Sequence, residues 1–261
     1  MRTLLWQEAF KLLKKKSTYW VTIFLIISGL GQAFLEKLYP HNKVLTAPMA
    51  FSSSFGATTW LIFIMIAACA TVLSMEFQYG TVKEIIYQQY SRSTILISKW
   101  LVMLGYSIYL YVMTGAVALL GKVLFVNDQF SLTAIDPYSN HLTFLQQWLA
   151  SMSSSFMTLW LVLSVVFLFA TLFRSATMAV TAGIVAFFAF NAVSVLMFKL
   201  ITKFNWVKWN PFNFLNFSNQ ITDPARHTLT QLSDTQLLIG SLGYTALFLA
   251  IGLFSFRKQS V

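Results

Sequence analysis

The residues of this chain that could do acid–base, nucleophilic or metal chemistry are few and poorly placed for it. His41, His141 and His227 are scattered through polar connecting stretches, where an imidazole is a solvated side chain rather than a ligand or a base. Cys69 is the one cysteine and stands inside an apolar run, so neither an internal disulfide nor a thiolate cluster can form. The run SMSSS at 151–155 supplies hydroxyls but no His or Asp base nearby. Small hydroxyl residues in an apolar segment serve close helix packing. There is no G-x-x-x-x-G-K-[ST] loop to cradle nucleotide phosphates and no H-E-x-x-H zinc pattern. The expected chemistry is therefore recognition and movement rather than catalysis, with no cofactor or metal held by this chain.

One polar stretch stands out, SMEFQYGTVKEIIYQQYSRSTILISKW at 74–100. Val82, Ile85, Ile86 and Tyr90 recur at helical spacing and give a short helix one apolar stripe. Lys83, Glu84, Gln88 and Gln89 fill the rest of its surface. Gly80 permits a bend before it, and Thr81 with Glu84 three residues on makes a capping box. An apolar stripe on a short surface helix has to be covered, by lipid or by a groove on a partner.

The elements around this stretch are made for lipid. Of 261 residues, 57% are hydrophobic and only 10% charged, against roughly 25% charged in a soluble domain; a water-soluble fold of this size could not bury so much apolar surface. About 20 mostly apolar residues cross a bilayer, and six segments qualify: about 18–38, 55–75, 99–123, 144–172, 177–199 and 237–256. The fold class expected is an all-α membrane protein, a single transmembrane domain over 1–261. The net charge of +10 would suggest nucleic acid in a soluble protein. Here the charges lie mostly at the ends of apolar runs, and they mark topology rather than nucleic-acid binding.

With six spans both termini share one side. That side carries the KLLKKK run at 11–16, Arg92, Lys99, Arg174, Arg257 and Lys258, which predicts cytoplasmic termini in the cell membrane. The basic start followed by an apolar run resembles a secretory leader, but the run is too long and no small-x-small site follows it, so it is expected to remain. In LLWQEAFKLLKKK, Leu5, Trp6, Ala9, Phe10, Leu12 and Leu13 share one helical face, while Gln7, Glu8, Lys11, Lys14 and Lys15 share the other. Such a basic amphipathic helix is expected to lie in the membrane interface. Segments 39–54, 124–143 and 200–236 face outward. The last mixes Trp206, Trp209, Phe212, Phe214 and Phe217 with Lys, Asn and Pro211, as expected of a shallow interfacial or re-entrant element shielded by protein.

Glu76, the pair Gly80–Thr81, the pair Ser91–Arg92 and Lys99 opening the third span form a pattern that resembles the permeases of type-2 ATP-binding-cassette (ABC) transporters. The layout resembles them along the whole chain: an amphipathic N-terminal helix, six spans, a polar segment between spans two and three, and a long outer loop before the last span. The resemblance implies that 77–92 holds a cytoplasmic coupling helix docking on a separate ATPase subunit. The residues it assigns to coupling are Glu76, Phe77, Gly80, Thr81, Val82, Ile85, Ile86, Tyr90 and Arg92. It further implies two ATPase subunits, which would bind the ATP and magnesium, and a second permease copy or relative, in a homodimer or a related heterodimer.

No acid or base is expected mid-span. Intramembrane charge marks ion and proton pathways, so its absence argues against those activities and favours an apolar or amphipathic cargo. The function expected is permease subunit of an exporter of, or of a system giving immunity to, an amphipathic antimicrobial peptide or drug. The alternative is an ATP-independent membrane-embedded protein that confers immunity by sequestering its ligand. Asn191 is the most conspicuous polar residue within a span. It reads as an inter-helix hydrogen bond or, failing that, a cargo contact.

Overall fold

Local capping and apolar length set the helix boundaries. The structure is a computed structural model that describes residues 2–40, 46–79, 91–136, 141–173 and 175–258. Helix α1 (Arg2–Lys14) is followed after Lys15 by α2 (Lys16–Leu38). A short α3 (Ala47–Ser52) turns into α4 (Ala57–Gln78). Then come α5 (Arg92–Phe125), α6 (Phe144–Leu172) and α7 (Ala176–Lys203). Short turns follow, among them α8 (Pro211–Phe214), α9 (Phe217–Thr222) and α10 (His227–Thr230), before the last helix α11 (Asp234–Lys258). Among the described residues there is no strand, only one isolated bridge between Ile135 and Thr143. Six stretches are long and apolar enough to cross a membrane: Lys16–Leu38, Ala47–Glu76, Arg92–Phe125, Phe144–Leu172, Ala176–Lys203 and Asp234–Arg257.

Helix α6 begins where the sequence places it. Thr143 Oγ1 accepts from Gln146 N and Gln146 Oε1 accepts from Thr143 N, a reciprocal cap. Helix α5 begins earlier than expected, at Arg92 rather than near 99, because Ser91 Oγ accepts from Thr94 N at 3.2 Å and starts the helix in polar sequence. Its 34 residues extend about 50 Å at 1.5 Å per residue, well beyond the roughly 30 Å of a bilayer's hydrocarbon core. Its first two turns carry Arg92, Ser93, Thr94 and Ser98, the polar part of the helix. They lie at the end of the bundle shared by α1 and the C-terminus of α11, here called the basic end.

Helix α6 is the central span, packed against α4, α7, α9 and α11. Leu163, Val166, Phe167 and Ala170 on it are fully or almost fully buried. Its indole Trp160 Nε1 donates to Ser107 Oγ of α5 at 3.1 Å, which gives a polar edge in an apolar medium its partner. Helices α2 and α5 approach closely through small residues: a Cβ on Gly29 would stand 2.8 Å from Val117, and one on Gly121 would stand 2.8 Å from Ala33 Cβ. The turn between α3 and α4 runs through positive φ at Ser54, Phe55 and Gly56. It is held by Trp148 Nε1 donating to Ser54 Oγ at 3.0 Å and by Phe51 stacked on Trp148.

The stretch after α7 is a folded cap at the opposite end. Asn213 Nδ2 donates to Lys208 O and Thr230 O, Asn216 Nδ2 to Ser194 Oγ of α7 at 2.6 Å, and Gln220 Nε2 to Leu232 O and Asp234 Oδ1. Phe214 and Leu232 are fully buried within it, while Trp206 is exposed. The irregular backbone is shielded by side-chain amides, which is how non-helical chain survives next to lipid.

Candidate functional site: a buried charge cluster at the base of spans two and three

Near the basic end, α4 and α5 come together below the apolar core and α1 crosses over them. Val72 and Glu76 lie one turn apart on α4, Lys99 lies two turns into α5, and Glu8 is in the middle of α1. Lys99 Nζ donates to Glu76 Oε1 at 2.7 Å, to Glu8 Oε2 at 2.9 Å and to Val72 O at 3.1 Å. Three donors meet three acceptors, so the ammonium's hydrogen-bonding capacity is used. Only 1% of the Lys99 side chain is exposed. Burial of an ammonium group is tolerated only where carboxylates of this kind face it, and losing either partner is expensive.

Glu8 binds a second cation, Lys11, whose Nζ lies 2.8 Å from Glu8 Oε1. Burial pushes the Glu8 carboxyl up, but the ammonium groups of Lys99 and Lys11 outweigh it and hold the group below its ordinary value. Burial lowers Lys11, and the Glu8 carboxylate more than reverses that, leaving it raised. The cluster thus ties three elements that are far apart in the chain.

The sequence reading placed Glu8 on the polar, outward face of α1. The structure reverses this. Leu4 and Glu8, one turn apart, are the buried residues of α1, while Trp6, Phe10 and Leu13 are exposed. The reason is pairing: a carboxylate that finds Lys99 can enter a protein interface, and the aromatic residues are released to the outside. Lys99, read only as the opening of a span, is the centre of the site.

Other polar contacts join the helix ends around the cluster. Arg257 Nε of α11 donates to Ser93 Oγ of α5 at 2.5 Å, and Arg92 donates to Arg257 O. Gln78 Oε1, at the end of α4, accepts from Ala176 N at the start of α7. Of the residues expected to couple, Glu76 is in the cluster, Phe77 belongs to the last turn of α4, and Arg92 opens α5. Gly80, Thr81, Val82, Ile85, Ile86 and Tyr90 lie outside the described residues. Asn191 sits about four turns into α7 and donates to Phe187 O of its own helix at 2.8 Å. That bond satisfies the backbone locally rather than bridging to a neighbour. Among the described residues no three His, Cys, Asp or Glu are grouped to hold a metal ion.

Lys99 thereby links α1 to both α4 and α5. Over 218 residues the chain is 27% identical to the uncharacterized membrane protein YdbK of Bacillus subtilis (strain 168), covering 82% of each protein. The family description "ABC-2 family transporter protein" matches residues 4–191, a region that contains α1 from Leu4 on, the charge cluster and the first four spans complete. This multi-pass membrane protein belongs to the ABC-2 family of transporter proteins.

Proposed function

We propose that the chain is the permease subunit of an ABC exporter in the cell membrane, with both termini in the cytoplasm. It pairs with a second permease copy or relative and is driven by two separate ATPase subunits that bind ATP and magnesium. Family membership supports the permease role, and the chain acts as a single transmembrane domain over 1–261. The observation that carries the mechanism is Lys99 joined to both Glu76 and Glu8 at the base of the two spans that flank segment 77–92. Docking of that segment on an ATPase would turn closure of the nucleotide sites into movement of spans two and three. The cluster would pass that movement to α1, lying in the inner interface with Trp6, Phe10 and Leu13 toward lipid. Rocking of helices as rigid bodies is the usual route to alternating access.

The cargo we propose is an amphipathic peptide or drug, exported or held off as an immunity function. Glu8, Glu76, Lys11 and Lys99 are engaged with one another, and the spans offer aromatic and aliphatic surface rather than ion ligands. Asn191 is retained as a possible cargo contact through its carbonyl oxygen.

Co-purification tests the reading. Tagged wild-type chain extracted from native membranes should bring down an ABC ATPase. Ile85→Asp combined with Ile86→Asp should insert normally and lose it. Undiminished ATPase recovery with the double variant would overturn the docking surface. Full activity in cells lacking any such ATPase would favour the sequestering alternative.

A further inference from the structure

Helix α1 does not seal against the bundle. On one side of it a cleft of about 560 Å³ opens between α1, α2, α4 and α5. Its floor is the charge cluster, its wall is Val21, Ile64, Ala68 and Val102, and Lys11 and Lys15 stand at its mouth. On the other side a second cavity of about 670 Å³ is lined by Leu5, Trp6, Leu13, Leu101 and Gly105 among others. Leu12, Val102 and Tyr106 line both. The two therefore lie side by side beneath α1 with these side chains between them, one charged at its entrance and one apolar.

We propose that this paired cleft is a binding site for a phospholipid with an anionic headgroup, drawn from the leaflet in which α1 lies. The phosphate sits at Lys15 and the outer side of Lys11, and the acyl chains run along Val21 and Ile64 and under Leu12. Charge decides the class of head. The lining holds Lys11, Lys15 and Lys99 against Glu8 and Glu76, and both carboxylates already face ammonium groups within the cluster. Lys15 is exposed at the entrance, and no ion pair among the described residues engages it. A cationic head would meet net positive charge; an anionic one completes the site. Depth agrees, because Tyr19 and Trp20 beside the mouth are exposed, as expected at headgroup level. Naming the inner leaflet rests on the orientation proposed above; the cleft itself does not.

The full chain is reconstituted in vesicles containing a phosphatidylglycerol with a photoactivatable diazirine in its acyl chain, and labelled peptides are mapped by mass spectrometry. Labelling should concentrate on 64–72 and 101–106, above that on the exposed α7 positions Val185 and Val195. Lys15→Gln should lower cleft labelling about fivefold, the factor for one lysine near an anionic headgroup, and Lys15→Glu should lower it further. Lys15 is exposed, so neither change threatens folding. The proposal is overturned if the cleft is labelled no more than α7, if the Lys15 variants label as wild type, or if the matching phosphatidylcholine probe labels equally. Probe confined to one leaflet separates the two claims: cleft labelling from the outer leaflet alone would reject the orientation and leave the site standing.

Discussion

Lys99 Nζ lies 2.9 Å from Glu8 Oε2 across 91 residues of sequence, and the same nitrogen holds Glu76. One ammonium thereby fixes an N-terminal helix to two spans. Its removal should be among the most damaging single changes outside the apolar core. Lys99→Met leaves two carboxylates facing each other in a largely buried site, a loss of about 3–5 kcal/mol, read as a lower midpoint of unfolding in mixed micelles of increasing SDS content. Adding Glu8→Gln and Glu76→Gln should restore most of the loss, since an uncharged replacement of a buried ion set is close to neutral. A triple variant as unstable as Lys99→Met would show that the charge balance is not the cause.

The cluster also sets an acid limit. Glu8 is opposed by Lys99 and Lys11 and neighboured by Glu76. Its folded value lies below the ordinary one. Its contribution is therefore complete above the ordinary glutamate range, about pH 4.3, and is lost as pH falls through the lowered folded value. Thermal midpoints measured from roughly pH 3 to pH 8 should be flat at neutrality and fall at the acid end. Glu8→Gln should start lower at neutrality and show a shallower acid fall, and equal slopes for the two proteins would contradict the assignment.

Close helix approach gives a matched pair of glycine substitutions. Gly121→Ala places a Cβ 2.8 Å from Ala33 Cβ, an atom fixed to its own backbone. Helices α2 and α5 must then separate, at about 1–3 kcal/mol. Gly31→Ala meets nothing within 4 Å and should fall within about 0.5 kcal/mol of wild type. Unfolding midpoints of the two variants, side by side, decide whether α2 and α5 touch where described.

Trp160 and Ser107 allow a double-mutant cycle inside the apolar region. With Trp160→Phe, Ser107→Ala and the double variant, the coupling should come to about 0.6 kcal/mol and not exceed about 1.7. A coupling indistinguishable from zero would mean the 3.1 Å bond contributes nothing to holding α5 against α6.

Much of this architecture is legible in the sequence, because long uncharged runs have few options in a bilayer. The fourth span, expected from apolar length at about 144–172, coincides with helix Phe144–Leu172, whose start is set by the Thr143–Gln146 cap. The third is misjudged by seven residues at its start, because hydropathy reports where lipid begins and not where a helix does. RSTILIS at 92–98 is already helix. The site is harder to read. Periodicity sorts α1 into an apolar and a polar face and assigns Glu8 to the polar one. Only the distant partner Lys99 inverts the assignment, and no local pattern announces a contact between an N-terminal helix and the third span. A charge at the end of a span reads as a topology marker, and the same residue serves equally as the centre of a buried cluster.

The folded cap has a mechanical consequence. Asn216 ties it to Ser194 on α7, Tyr244 of α11 donates to Trp209 O within it, and Gly240 is the gap into which the Phe214 ring fits. Spans five and six are thus joined at one extremity; at the other, Ala176 donates to Gln78 of α4, and α11 is tied to α5 through Arg257 and Arg92 with Phe256 buried in the core. A substitution at Phe214 or Asn216 therefore loosens two spans together rather than one.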